Sequence, residues 1–411
     1  MNVSGIIAEY NPFHNGHKYH LQESKKATSA DYMVIVMSGN FTQRGEPAIL
    51  NKFARAEMAL QNGADLVLEL PFCYSVGSAE FFAAGGVTLL DRLNVVDSLC
   101  FGSECGRIDW LEQIARILLE EPKDYRVTLK EELRKGNSYP AARSRALTEC
   151  FPTSPMMRTV PETPNNILGI EYLKCLLRRR SPMKPFTLRR MDSDYHDKLM
   201  GEYQSSALAL RQAIFGRQDI GFLQGQVPDS AYGIIKKLLE TARPIHTDDF
   251  SLLLHYKLLN EAQSGYESYW DVTPALSDRI RKNLYKYTKF SDFCELLKCR
   301  DLTYTRISRC LLHILCNLKG ETARSYQTLD YVPYARVLGF REQAAGLLRM
   351  IKEKSSVPLI GKLADADKRL SGEGLEMLKN DIAAANIYGS IAAAKSGQPM
   401  QNEYTAPLIK L

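Results

Sequence analysis

The chain has 411 residues, 45% hydrophobic and 24% charged; at roughly 150 residues per domain it should hold two or three domains with cores of their own. That composition excludes long disordered, collagen-like or mucin-like tracts, and no run of about 18 uninterrupted apolar residues marks a membrane span. The net charge of +6, from 53 basic and 47 acidic residues, permits a nucleic-acid partner without requiring one. The first residues carry an acid, Glu9, where a signal peptide carries basic residues, so secretion is not expected. Nine cysteines with no repeated short spacing read as reduced, mostly buried thiols in a cytoplasmic protein, with no protein metal site.

The first hundred residues alternate strand and helix patterns. Val3 to Ala8 is a short apolar run, and a helix is expected from Gly16 to Lys26. Met33 to Met37 is a second strand, followed by a helix over Asn51 to Gln61 that Asn62-Gly63 closes. Leu66 to Leu70 is a third strand stopped by Pro71, Glu80 to Leu90 is helical, and Ser98 to Phe101 is a fourth strand ending at Gly102. Strands spaced by helices of this length predict an α/β fold with a Rossmann-like parallel sheet covered on both faces, and a ligand beyond the carboxyl ends of its strands.

From Trp110 onward the pattern is mostly helical, over Trp110 to Leu119, Lys123 to Lys135, Ala141 to Cys150 and Asn166 to Arg179, with Lys184 to Arg190 as a further extended piece. After Ile214 helical periodicity continues almost throughout, so a mostly α-helical C-terminal region is expected. The predicted division is a catalytic domain over 1–215 and a helical domain over 216–411, the boundary lying between 200 and 225. Two stretches concentrate positive charge. Lys174 to Arg190 holds seven basic residues and no acid; Arg279 to Arg309 holds nine against three, with Tyr285, Tyr287, Phe290 and Tyr304 interleaved.

The stretch Ile6 to His17 carries the chemistry. A strand runs into a Pro-containing turn, and His14-Asn15-Gly16-His17 places two imidazoles around a glycine where the first helix begins. A helix amino terminus offers free N–H groups and a positive dipole end, suited to phosphate, and Gly16 admits a close approach of the backbone to a nucleotide. Two imidazoles there can donate hydrogen bonds as charge builds on an α-phosphorus during loss of pyrophosphate.

His14-x-Gly16-His17 after a first strand resembles the signature of nucleotidylyltransferases and class I aminoacyl-tRNA synthetases. Their second motif, a Ser/Thr-rich turn ending in Arg, has its candidate in Ser205-Ser206-Ala207-Leu208-Ala209-Leu210-Arg211, which lacks the usual mid-motif hydroxyl. Further stretches narrow the resemblance. They are Glu9 to His17, Met37 to Ala48, Asp65 to Pro71, Phe101 to Glu104, Ser138 to Arg143, Pro164 to Gly169 and Ser193-Asp194-Tyr195-His196-Asp197, with looser matches at Tyr304 to Arg309 and Arg336 to Gly339. Together they are similar to the bacterial tRNA(Met) cytidine acetate ligases over nearly the full chain. The resemblance implies ATP-dependent activation of acetate to acetyl-adenylate and acetyl transfer to the wobble cytidine of elongator tRNA(Met), with Mg2+ accompanying ATP.

By that resemblance and by chemistry, the segment from Ile7 to His20 should wrap ATP. Ile7, Glu9, Asn11, Phe13, Asn15, Gly16 and His20 are its candidate contacts, and His14 and His17 sit on the phosphates. Gly102, either Asn165 or Asn166, Arg190, Ser205, Ser206 and Arg211 complete the expected ATP set. Arg44, Lys52 and Arg55 are expected at the pocket mouth or on a solvated helix face. Asp194 and His196 are candidates for proton transfer from the cytidine amine, or form a buried hydrogen-bonded pair. Arg179, Arg180, Arg279, Arg281, Lys282, Lys286 and Arg306 are the candidate tRNA contacts, phosphate cations beside tyrosines able to stack on unpaired bases. Two other readings stay open: a nucleotidylyltransferase acting on a small molecule, and an RNA-binding protein that keeps a nucleotide fold as scaffold.

Overall fold

The computed structural model describes residues 1–151, 157, 159–190, 206–216, 220–241 and 243–411. Its core is β1 (Val3–Ala8), β2 (Tyr32–Ser38), β5 (Leu66–Leu70), β6 (Ser98–Ser103) and β7 (Lys184–Arg189), all parallel, in the order β5-β2-β1-β6-β7. A small hairpin, β3 (Phe41–Thr42) with β4 (Glu46–Pro47), follows β2. Successive residues of β2 show why both sheet faces are covered. Val34 and Val36 enter one core, with helices α4 (Ala79–Arg92), α5 (Ile108–Glu120) and α8 (Pro164–Arg179), whereas Met33, Ile35 and Met37 enter the other, with α1 (Asn15–Ala27) and α2 (Lys52–Gln61). Helices Ala207–Gly216 and Asp229–Thr241 add Leu210, Ile214, Ala231 and Ile235 to that second core. The short α3 (Phe72–Ser75), α6 (Lys123–Arg134) and α7 (Tyr139–Glu149) complete the first half.

Helices Ser251–Glu261, Pro274–Asn283, Phe290–Leu297 and Tyr304–Leu315 form a helical lobe. The expectation of helix almost throughout after Ile214 needs correction. The chain returns to the sheet as β8 (Ala335–Phe340), antiparallel to β5, and β8 is flanked by β9 (Leu359–Ile360) and β10 (Ile409–Lys410). A boundary at 215/216 therefore does not separate sheet from helices. The return is stapled by buried charge. Lys52 Nζ lies 2.9 Å from both Glu69 and Glu403, and Arg336 lies 3.0 Å from Glu69 and 2.5 Å from Glu403. Removing one partner from such a buried cluster leaves an uncompensated charge, which typically costs about 3 to 5 kcal/mol. The C-terminal helix Gly372–Ser396 adds two ties: Asp381 accepts from the Phe72 N–H (2.8 Å), and Tyr388 donates to the Ala48 carbonyl (2.8 Å).

No cysteine is in a disulfide. Six are buried, and Cys299 is exposed. Among the described residues no helix is long and apolar enough to cross a membrane.

Candidate functional site

The strand order reverses at β1: β2 and β5 lie on one side, β6 and β7 on the other. In open α/β sheets such a reversal opens a crevice beyond the carboxyl ends of the two central strands, because the crossovers leave them in opposite directions. Here the crevice lies between the end of β1, which leads into Glu9 to His17, and the end of β6 at Gly102.

His14 is the N-cap of α1. The Gly16 N–H donates to His14 Nδ1 (3.0 Å), and the His14 N–H donates to His17 Nδ1 (3.3 Å), so the two imidazoles form a reciprocal cap. Their ring centroids are 3.7 Å apart. With each Nδ1 accepting a backbone N–H, the proton of each neutral ring sits on Nε2. Both rings are kept neutral. Burial, then Arg190 and Arg211, lowers the His14 pKa to about 4; burial, then His14 and Arg190, holds His17 well below the ordinary imidazole value. His20 is also lowered to about 4 by burial and Arg190, and its Nε2 is buried without a partner. A β-carbon on Gly16 would lie 2.9 Å from His14 Cε1, so a side chain there would push the His14 ring out of this tilted pair.

Two guanidiniums reach this site from distant parts of the chain. The Arg190 N–H donates to the Ser103 carbonyl (2.8 Å), and its side chain lies against Gly102, where a β-carbon would sit 3.1 Å from Arg190 Cγ and 3.9 Å from His20 Cδ2. Arg211 donates to the Asn11 carbonyl (2.8 Å), and Ser206 accepts from the Ala209 N–H (3.2 Å) at the start of the same helix. Glu9 accepts from the Gln43 N–H (2.7 Å). Burial raises its pKa, against the pull of that bond and of Arg211, Arg44 and Arg55. The first N–H groups of α1 are closed by this cap and by the Gln226 carbonyl, so what the site offers a polyphosphate is its imidazoles and the two guanidiniums beside them.

Other predicted residues hold the site's frame instead. The Asn11 side chain accepts from the Ile49 N–H (2.9 Å), Asn15 donates to the Gly225 carbonyl (2.6 Å), and Phe13 is fully buried beside Tyr10. Ile7 packs on α4 at Gly86. Lys52 and Arg55 are not at the mouth of the pocket: both are fully buried, Lys52 in the acid cluster and Arg55 donating to the carbonyls of Leu50, Glu9, Ser38 and Gly39. Arg44 alone of that trio is exposed. Asp194, His196 and Ser205 lie outside the described residues.

Asn165 and Asn166 share a partner that the sequence reading missed. Glu104 accepts from the Asn165 N–H (3.1 Å) and side chain (2.7 Å), from the Asn166 N–H (2.7 Å) and from the Thr163 hydroxyl (3.0 Å), and so caps α8. Burial would raise the Glu104 pKa, but the bonds from Asn165 and Asn166 outweigh it and hold the carboxyl below its ordinary value. Asn166 is buried with its side-chain oxygen on the Cys105 N–H (3.2 Å), whereas Asn165 remains partly open. The signal was the carboxylate directly after Gly102-Ser103 at a strand end.

The basic stretches divide in the same way. Arg179 is bound by Asp91 and Asp330, Arg306 by Asp271 (2.9 Å), and Arg279 donates to the Lys298 carbonyl (3.0 Å). Arg180, Arg281, Lys282 and Lys286 are exposed, and Tyr285 beside them is 95% exposed.

Residues 1–403 match the family model described as HIGH Nucleotidyl Transferase. The tRNA(Met) cytidine acetate ligase of Thermoanaerobacter sp. (strain X514) is 41% identical over 413 residues, covering all of both chains. That of Acetivibrio thermocellus is 41% identical over 392 residues, 94% of each. The chain belongs to the tRNA(Met) cytidine acetate ligase family of HIGH nucleotidyl transferases. Among solved structures of this family, Thermotoga maritima TmcAL bound with alpha-thio ATP superposes with a TM-score of 0.91 at 32% identity, and its apo form with 0.92, each covering both chains completely.

Proposed function

We propose that this protein uses ATP to activate acetate as acetyl-adenylate and transfers the acetyl group to the exocyclic amine of the wobble cytidine of elongator tRNA(Met), giving N4-acetylcytidine. The observation that carries this reading is the reciprocal His14–His17 cap at the β1/β6 crevice with Arg190 and Arg211 beside it, in a chain aligned end to end with relatives of that name. The Thermotoga relative, named as bound with an ATP analogue, supports ATP as the nucleotide.

An acetate oxygen attacks the α-phosphorus, the bond to the bridging oxygen of the β-phosphate breaks, and pyrophosphate leaves with the electron pair. Neutral Nε2–H donors on His14 and His17 meet the charge that grows on phosphate oxygens, while Arg190 and Arg211 hold the departing phosphates. The cytidine amine then attacks the acyl carbon, the anhydride bond to AMP breaks, and the amine loses a proton. Gly102 lies where the nucleotide crosses the end of β6. Mg2+ would arrive with ATP and offset triphosphate charge; among the described residues no three carboxylate, imidazole or thiolate side chains gather as a ready cage for it.

In this reading residues 1–215 carry the chemistry and the helical part of 216–411 receives tRNA, through exposed Arg281, Lys282 and Lys286 with Tyr285 as a stacking surface. Arg180 is a further cation on the catalytic side. The cytoplasm is the compartment that the substrate implies. Acetate-dependent release of pyrophosphate from ATP, measured without and then with tRNA, tests the reading. A requirement for a phosphorylated small acceptor in place of acetate would replace it with the small-molecule transferase.

A further inference from the structure

A cavity of about 330 Å³ lies between the sheet-bearing part and the helical lobe, and it shares no residue with the histidine site. One wall is the start of α4, with Ser78 and Phe81; the other is the segment carrying Trp270 and Asp271. Because α4 crosses from the end of β5 to the start of β6, a parallel strand, its first turn lies at the carboxyl edge of the sheet, where His14 and His17 also lie. Buried His313 bridges the walls, with Nδ1 2.8 Å from the Trp270 carbonyl and Nε2 3.0 Å from the Val76 carbonyl; burial keeps the ring neutral, so it donates to one of the two and packs against the other. The Trp270 N–H also donates to the Leu318 carbonyl (3.0 Å). The cavity is therefore preformed, as ligand sites usually are.

Its lining, which carries two carboxylates, Glu267 and Asp271, and one arginine, Arg324, offers groups that can hold the base of a nucleotide. Trp270 and Phe81 meet edge to face with centroids 5.0 Å apart, which presents aromatic surface to a third ring. Among the described residues the Trp270 indole N–H has no hydrogen-bond partner. Arg324 lies exposed over Gly320 at the rim, with no ion pair among the described residues. Asp271 supplies carboxylate acceptor capacity beyond the one bond it takes from Arg306 (2.9 Å). Aromatic surface for a base, an acceptor for its amino group and a cation for phosphate are the elements by which proteins hold unstacked nucleotides.

We propose that this cavity holds one unpaired nucleotide of the RNA substrate, a second anchor beside the cytidine that reacts at the histidine site. The proposal rests on the tRNA reading above. A carboxylate acceptor favours bases that present an amino group, cytosine, adenine or guanine, and disfavours uracil, whose edge has carbonyl oxygens there.

Trp270 is one of two tryptophans, with Trp110, so a Trp110→Phe protein reports on this wall by fluorescence. Unmodified tRNA(Met) should quench it saturably, and Arg324→Ala, a change at an exposed position, should weaken that quenching. Arg324→Ala and Trp270→Leu should each raise the KM for tRNA about tenfold or more, with acetate-dependent pyrophosphate release in the absence of tRNA unchanged. Free AMP, CMP and UMP form the comparison arm and should quench only weakly. The proposal is overturned if tRNA leaves the fluorescence unchanged and both variants keep the wild-type KM while wild-type protein acetylates tRNA; the function then stands without this site. Tight quenching by a free mononucleotide that tRNA does not displace makes the cavity a small-molecule site and overturns the RNA assignment. Failure of wild-type protein to acetylate tRNA at all removes the functional reading, and this proposal with it.

Discussion

At the scale of the residue, the two imidazoles at the head of α1 do two jobs with one geometry. Each Nδ1 closes a backbone hydrogen bond, which places the ring proton on Nε2; on His14 that N–H is the donor left for a ligand, whereas on His17 it is shared with the Pro12 backbone. His17→Ala removes one donor whose hydrogen bond strengthens as charge develops, so pyrophosphate release should fall about a hundredfold in a protein that remains folded. Circular dichroism and a pyrophosphate assay on the same sample check this; a folded variant with wild-type turnover would remove His17 from the chemistry. Burial of the rings also sets a pH dependence. With a folded pKa of about 4 for His14 and His20 against about 6.5 in the unfolded chain, the unfolded state binds more protons between these values. Stability is therefore complete above about pH 6.5 and is lost as pH falls toward 4, by up to about 3 kcal/mol for each such ring. His313, lowered in the same way by burial, adds to the loss. His20→Gln should remove one share, and melting temperatures from pH 7.5 to 5 should fall less steeply in it than in wild type.

At the scale of the element, Glu104 shows how a strand end and a helix start are joined across some sixty positions of sequence. Its carboxylate takes four hydrogen bonds at the amino end of α8, where the helix dipole also favours negative charge. Glu104→Ala strands those donors in a half-buried site and should cost about 1 to 3 kcal/mol, read as a lower urea midpoint with an unchanged slope. ATP affinity should weaken with it, because Asn165 loses its anchor. The sequence showed the carboxylate at the strand end but not what it caps, since a side chain that caps a helix from a distant strand leaves no local spacing. The parallel strands β1, β2, β5 and β6 and helix α1 were legible, because each of these buried strands is a continuous apolar run and each helix between them is closed by its own punctuation; β7, partly exposed and bearing Lys184 and Arg189, read only as an extended piece. β8 could have been read: Ala335-Arg336-Val337-Leu338-Gly339-Phe340 is a short apolar run after Pro333, hidden by the helices on either side. β9 and β10, at two residues each, are too short for any periodicity. Lys52 and Arg55 misled for a related reason. A cation on a helix pattern reads as solvated, and only the fold brings Glu69, Glu403 and the carbonyls after β1 and β2 around them.

At the scale of the whole molecule, the phosphate site and the basic face of the helical lobe are built on different elements, so the two activities should separate. Replacing Arg281, Lys282 and Lys286 by Ala should weaken tRNA binding and reduce the slope of log affinity against log salt by up to about three, one for each phosphate that the variant no longer neutralises. Acetate-dependent pyrophosphate release without tRNA should be unchanged. Titrations at several salt concentrations decide it, and an unchanged slope would leave that face merely solvated. The central claim, that acetate activated at the histidine site is delivered to a cytidine of tRNA, is tested most directly by mass spectrometry of nucleosides from unmodified tRNA(Met) incubated with the protein, ATP and isotopically labelled acetate. Labelled N4-acetylcytidine is expected at the wobble position, dependent on ATP and formed about a hundredfold more slowly with His17→Ala. ATP turnover with no label in any nucleoside would contradict it.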